Sequence, residues 1–338
     1  MSSGIWPWPL LFRTPAERLS AIAITFFLIN TIDHNIRVIH CAKGTNSHIL
    51  LSMATLSLEQ IRATIFAMNA NWEAGETEIS KFVDEPGGGL FGLSMGEQER
   101  AAAIQEAAVS FAAPVSAPPP AVDWRNLAGC DWITAVKAQG FCGACVSFAT
   151  CAVLEARLRW FKKDCSLVVD LSEADLFFCG CGSCCSSGWN FVPALTYCQT
   201  RGVGPESAFP YTPGNKACIQ ITPVVKVAGW ATHAILVDRK AAIANNGPVI
   251  AGMRVYEDFY YYRSGVYRHV GGIFKGLHAV AVVGYDDADD CWIIKNSWGL
   301  GWGEKGFARI ARGECGIDTQ YPFYDPDVVD LNPGGLYL

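Results

Sequence analysis

Thirteen of the fourteen cysteines in this 338-residue chain lie at or after Cys130, with Cys41 the exception. A reducing cytosol seldom uses thiols this way outside metal sites, so the distribution implies an oxidising compartment and a C-terminal part knitted by disulfides. Hydrophobic residues make up 51% of the chain and charged ones 17%, enough apolar material for a substantial core. The length suits two or three units at roughly 100–200 residues each. A net charge of −6, with no Lys/Arg cluster, argues against nucleic acid as a partner.

Residues 1–52 contain the apolar run Ala21–Ile29, preceded by Arg13 and Arg18. The run resembles the h-region of a secretory signal and is shorter than the roughly 20 residues of a membrane span. A second reading makes Met53 the true start. The first implies a secreted, extracytoplasmic or lysosome-like destination and the second a cytoplasmic one. Membrane contact follows only if residues 19–30 remain as an uncleaved anchor. Residues 53–112 read as helical. Leu58, Ile61, Ile65 and Met68 mark one face of a helix over 56–71, and Ser94 with Glu97 forms a capping box for a second. This region has little core of its own and needs another surface to pack on. Residues 113–121, rich in proline, read as an extended linker open to proteolysis, followed by a folded domain over 122–338.

Within that domain a helical half precedes a strand-rich one. Helical patterns follow Cys145, Leu171 and Pro193. Strand-like runs occupy Val224–Ala228, Val249–Met253, His278–Tyr285, Cys291–Lys295 and Phe307–Ile310, with one short helix over Arg239–Asn245. That order predicts an α+β fold of two lobes with a cleft between them.

The chemistry centres on Gln139-Gly140-Phe141-Cys142-Gly143-Ala144-Cys145. Cys145 heads a helix-compatible run, where the helix dipole favours thiolate over thiol. Gln139 brings an amide that can donate to a developing oxyanion. A thiol nucleophile wants an imidazole, and the imidazole wants a partner that fixes its tautomer. His34, His40 and His48 lie in the N-terminal extension, and His233 and His269 read as surface or satisfied side chains. His278 opens an apolar strand, and Asn296 follows in Lys295-Asn296-Ser297-Trp298-Gly299.

Four blocks, Gln139–Cys145, Leu171-Ser172-Glu173 with its downstream cysteines, His278–Tyr285 and Lys295–Gly306, resemble the papain-like cysteine peptidases, the family that includes the cathepsins. The resemblance covers roughly residues 122–325. It implies a helical left lobe and an antiparallel, β-barrel-like right lobe. It also implies a monomeric cysteine endopeptidase zymogen, needing no metal or other cofactor, that cleaves peptide or protein substrates through a thioester. Cys145 would be the nucleophile, His278 general base and acid, Asn296 its orienting partner and Trp298 a shield for their bond. Gln139 and the Cys145 N–H would form the oxyanion hole. Gly188 would bond an extended substrate, and Asn190, Phe191, Gly252, Ala279 and Gln320 would wall the subsite two residues before the scissile bond. Cys142 would pair with Cys185 (or Cys184), Cys179 with Cys218 and, on weaker grounds, Cys130 with Cys165. Residues 56–110 would be the inhibitory prosegment, an intramolecular partner. Val146 departs from the aromatic residue usual after the nucleophile. Two rivals remain: a catalytically silent protein of the same fold, and a metal-binding protein using the run Cys179-Gly-Cys-Gly-Ser-Cys-Cys185.

Overall fold

A computed structural model describes residues 36–38, 51–53, 55–85, 89–109, 116–335 and 337. The apolar run at 21–29 and Cys41 lie outside the described residues. The chain divides into residues 1–54 and residues 55–338. The first unit contributes an antiparallel pair, β1 (Ile36–Val38) and β2 (Leu51–Met53).

The second unit opens with α1 (Leu58–Ala67). The Ser57 hydroxyl accepts from the Gln60 N–H, and the Gln60 side chain accepts from the Ser57 N–H, so the capping box is here. The box expected at Ser94 does not form. Ser94 is held extended by donating its N–H to Trp189 O at 2.8 Å, and α2 begins only at Glu97 (Glu97–Val109). Between the two helices runs β3 (Trp72–Ala74).

The linker is shorter than expected. Pro119 O accepts from the Tyr285 hydroxyl at 2.9 Å and Pro120 O from the Asp287 N–H at 2.9 Å, and β4 (Ala121–Asp123) follows at once. The left lobe is built on α3 (Cys145–Lys162), which is buried almost continuously from Cys145 to Leu158, and on α4 (Phe191–Thr200). The right lobe contains β5 (Val225–His233), α5 (Leu236–Asn246), β6 (Val249–Tyr256), β7 (Tyr262–Tyr267), β8 (Phe274–Asp286), β9 (Cys291–Lys295), β10 (Phe307–Ala311) and β11 (Phe323–Asp330).

These strands form one nine-stranded sheet in the order β3-β7-β10-β9-β8-β6-β11-β5, with β4 also on β8. The α+β class stands, but the expected barrel does not. β3 and β5 occupy opposite ends of the order and no ladder joins them, so the sheet stays open. The pairings are antiparallel except β7 with β10.

Four disulfides tie the left lobe: Cys130–Cys165, Cys142–Cys185, Cys179–Cys218 and Cys181–Cys184. The last was not anticipated. All four cysteines of the 179–185 run are thereby committed as disulfides, which removes the thiolates a metal reading requires. Cys145, Cys151, Cys198, Cys291 and Cys315 are free and buried.

One polar knot pins the sheet's far end. His233 at the end of β5 bonds Asp238 at 2.7 Å and Asp325 of β11 at 3.1 Å. Asp325 also meets Arg157 of α3 at 2.5 Å and Asn246 of α5 at 2.8 Å. Burial opposes a charge on His233, but the two carboxylates outweigh it and raise its pKa. A raised value means the stabilisation is complete below the ordinary histidine range, near pH 6.5, and lost as pH rises through the folded value. In a Cys145→Ala chain, His233→Ala should therefore cost roughly 2 kcal/mol in urea unfolding at pH 5.5 and clearly less at pH 8.5. An equal cost at both values would show that the imidazole is uncharged in the fold.

Candidate active site

Cys145 stands at the first turn of α3, against the cleft face of β8. The backbone N–H groups of Ala279, next to His278, and of Gly92 favour its thiolate. His278 lies within β8 rather than at its start, and its Nε2 bonds Asn296 Oδ1 at 2.8 Å. Asn296 Oδ1 also accepts from the Ser297 N–H at 2.8 Å, which fixes the amide's orientation. The other imidazole nitrogen, Nδ1, is buried without a hydrogen-bond partner. The Trp298 ring lies 5.1 Å from the imidazole, with Trp302 edge-on behind it at 5.1 Å.

Gln139 is placed by bonds along its whole length. Its Oε1 accepts from the Ser297 hydroxyl at 2.6 Å, its N–H donates to Ser297 O, and its carbonyl accepts from Tyr211. Its Nε2 donates to Cys142 O at 2.9 Å and points toward Gly89 O and Leu90 O, each at 3.4 Å. Ser297, inside the Asn-Ser-Trp-Gly block, is thus a positioning residue for Gln139 that carries no signal of its own in the sequence.

The Leu171-Ser172-Glu173 block lies beneath the cleft. Lys137 Nζ reaches Glu173 at 2.8 Å and Glu155 at 3.5 Å, and Lys295, which precedes Asn296, donates to Thr134 at 3.1 Å. Burial pushes Glu173 up to about 8, against Lys137, and pushes Lys295 down to about 8. The block therefore supports the strand carrying Asn296 and does not face the cleft.

Residues 89–95 run along the cleft and cover the thiol. Leu93 N–H donates to Leu277 O at 3.2 Å on the right lobe; on the left lobe, Trp189 N–H donates to Gly92 O at 2.6 Å and Ser94 N–H to Trp189 O. Phe91 meets His278, Trp298 and Tyr260 edge-on at 6.0–6.1 Å. Gly92 lies on Gly143 and Gly188 so closely that a Cβ on Gly92 would come within 1.9 Å of Gly143 O. Leu93 sits where a Cβ on Gly252 would meet it at 2.7 Å, beside the Tyr321 ring at 2.6 Å.

Several expected pocket residues need correcting. Gly252 faces this place, with Ala279 paired opposite it on β8, but its outer wall is Tyr321, with Gln320 folded beside Gly316. Trp189, one residue past Gly188, makes the two strand-like bonds. Gly188 instead keeps the floor low, since its own Cβ would strike Gly92. Asn190 bonds Glu99 of α2, and Phe191 is buried against Tyr324 at 4.8 Å.

The cover changes the electrostatics that the helix terminus alone would set. Burial pushes the Cys145 thiol up to about 11, against the pull of the Ala279 and Gly92 N–H groups. Burial also pushes His278 down to about 4, with the Asn296 bond only partly offsetting it. Both groups are neutral between these values.

Residues 118–324 match the family described as papain family cysteine protease. Cathepsin B-like CP3 of Giardia intestinalis is 34% identical over 278 residues, which is 76% of this chain and 90% of that protein. A cathepsin L-like proteinase of Fasciola hepatica is 34% identical over 235 residues, 65% of this chain and 70% of its own. Among solved structures, digestive procathepsin L 3 of the Tenebrio molitor larval midgut superposes with a TM-score of 0.63 at 22% identity, covering 94% of each chain. The proform of the ragweed pollen cysteine protease Amb a 11 gives 0.62 at 27% identity, covering 82% of this chain and 88% of its own.

The glycine contact yields a direct test. Gly92→Val cannot keep its backbone against Gly143, so residues 89–95 should lift. Alkylation of Cys145 by iodoacetamide at pH 7, followed by mass spectrometry of the Cys145 peptide, should then be at least tenfold faster than in the unaltered chain. An unchanged rate would mean that these residues do not shield the thiol.

Proposed function

The chain belongs to the papain family of cysteine proteases and is built as a zymogen, and from that premise we propose that Cys145, His278, Asn296 and Gln139 carry out peptide-bond hydrolysis. The observation that carries the reading is the His278–Asn296 bond at 2.8 Å. It occupies Nε2 and leaves Nδ1 free to take a proton, on a strand whose next residue, Ala279, favours the Cys145 thiolate through its backbone N–H.

In the proposed cycle His278 Nδ1 takes the thiol proton and the thiolate attacks the scissile carbonyl. The Gln139 amide and the Cys145 N–H stabilise the oxyanion. The imidazolium then protonates the leaving amine, forming a thioester. Water, deprotonated by His278, hydrolyses that thioester and restores the thiol. Trp298 keeps solvent from the His278–Asn296 bond. The groove held by residues 89–95 extends to both sides of Cys145, past Phe91 in one direction and Leu93 in the other, which supports endopeptidase action on extended peptides.

The prosegment inhibits by occupying that groove, and acid favours its release. Burial holds His278 down to about 4 in the covered chain, below the ordinary range near 6.5. A depressed value means that the covered form loses stability as pH falls from 6.5 toward 4. Cleavage falls before Pro118, because Pro119 and Pro120 are tied to β8 and the turn after it. The disulfides suit an oxidising, extracytoplasmic or lysosome-like compartment.

Incubation at pH 4.5 with a mild reductant should remove the chain before Pro118 as peptidase activity appears. Cys145→Ala should abolish that activity, and Gln139→Ala should lower kcat roughly 10²–10³-fold. Retained hydrolysis by Cys145→Ala would overturn the assignment.

A further inference from the structure

Gly252, Arg254 and Tyr256 alternate on one face of β6, the face that Leu93 of the prosegment touches at Gly252. The Tyr321 ring that walls the Leu93 position also lies under the guanidinium of Arg100, at 5.4 Å. Beyond it opens a cavity of about 390 Å³, lined by Arg254, Thr319 and Gln320 of the protease domain and by Glu97, Arg100, Ala101 and Ile104 of α2.

The lining charges of that cavity sum to one positive charge both with the prosegment in place and after it is removed. The carboxylate among the lining residues, Glu97, belongs to the prosegment and leaves with it, as does Arg100. Arg254 stays. Its Nε is buried with no hydrogen-bond partner, and its guanidinium rests 5.7 Å from the Phe274 ring centroid. The protease-side acids beside Cys315 are engaged elsewhere, Glu314 by Arg268 at 3.6 Å and by the His269 N–H, and Asp258 by the Tyr267 hydroxyl at 2.7 Å and His269 at 3.0 Å. A buried guanidinium nitrogen without an acceptor is costly, so native proteins supply one.

We propose that Arg254 is a specificity-determining residue that selects an acidic side chain, glutamate in particular, two residues before the scissile bond. This rests on the reading of the chain as a peptidase whose cleft residue Leu93 marks that subsite. Leu93 reaches the Gly252–Tyr321 wall with a branched four-carbon side chain. Glutamate is longer by one heavy atom and ends in two acceptors, which suit the fork of a guanidinium across the same wall. Gly252 makes the passage possible, since a Cβ there would close it against Tyr321. The pocket then combines an apolar entrance with a cationic end, which distinguishes it from the apolar subsite inferred from sequence.

The test uses the acid-processed protease and pairs of fluorogenic peptides that differ only at this position, glutamate against leucine and glutamate against arginine. Arg254→Gln should lower the glutamate-to-leucine ratio of kcat/KM by tenfold or more, mostly through KM. Arg254→Glu should invert the glutamate-to-arginine ratio. Ratios within twofold of the unaltered protease in both variants would overturn the proposal, while cleavage of the leucine peptide would leave the peptidase reading standing. Failure of the unaltered, processed protease to cleave any of the peptides would overturn both.

Discussion

The contact of Gly92 with Gly143 and Gly188 is the constraint on which the closed state depends. Three backbones meet there without a side chain between them, and this brings a peptide unit directly onto the thiol. Phe91 and Leu93 then reach pockets on either side because their backbone lies at that depth. A β-carbon at Gly92 or Gly188 would displace the segment and uncover Cys145. The burial of Cys145 and His278, and hence their neutrality, follows from this backbone approach and not from any charge interaction.

Two opposing effects act on the thiol, and magnitude decides between them. A helix N-terminus stabilises an anion by about 0.3–1 kcal/mol at an exposed site. Burial that raises the thiol to about 11 works the other way, on the order of 3 kcal/mol. The sequence rightly places Cys145 at a helix terminus, but the terminus governs the chemistry only when the cleft is open. Residues fifty positions upstream in the chain set which effect prevails.

What could be read from sequence was whatever its own local chemistry defines. Helix α3, strands β8 and β9 and the Gln139, Cys145, His278 and Asn296 blocks have strong periodicity or a contiguous motif. β7 and β11 were missed because Gly265 interrupts one and Pro326 with three aspartates interrupts the other; both are strands only because neighbours pair with them. The Ser94 cap failed for a related reason: Trp189, distant in sequence, claims the Ser94 N–H, and the helix begins at Glu97 instead of directly after Ser94. Pocket walls such as Trp189 and Tyr321 carry no motif. Trp189 was displaced by one residue because the cysteine-rich loop before it alters the spacing, and Cys181–Cys184 is part of that loop.

The prosegment also completes the sheet. β3 pairs antiparallel with β7, with Trp72 opposite Gly265 and Ala74 opposite Tyr262, and flanking bonds run from Val266 N–H to Asn71 O and from Gly75 N–H to Tyr261 O. The proposed maturation would strip a strand as well as unblock a cleft, and would leave β7 as a bare edge able to template pairing with other chains. The safeguards are short length, an exposed Arg263 and the kink at Gly265, whose φ is 91°. On that proposal, an inhibitor that is also a structural strand would link the protease's activation to its colloidal behaviour: the same cut that released catalysis would expose an adhesive border.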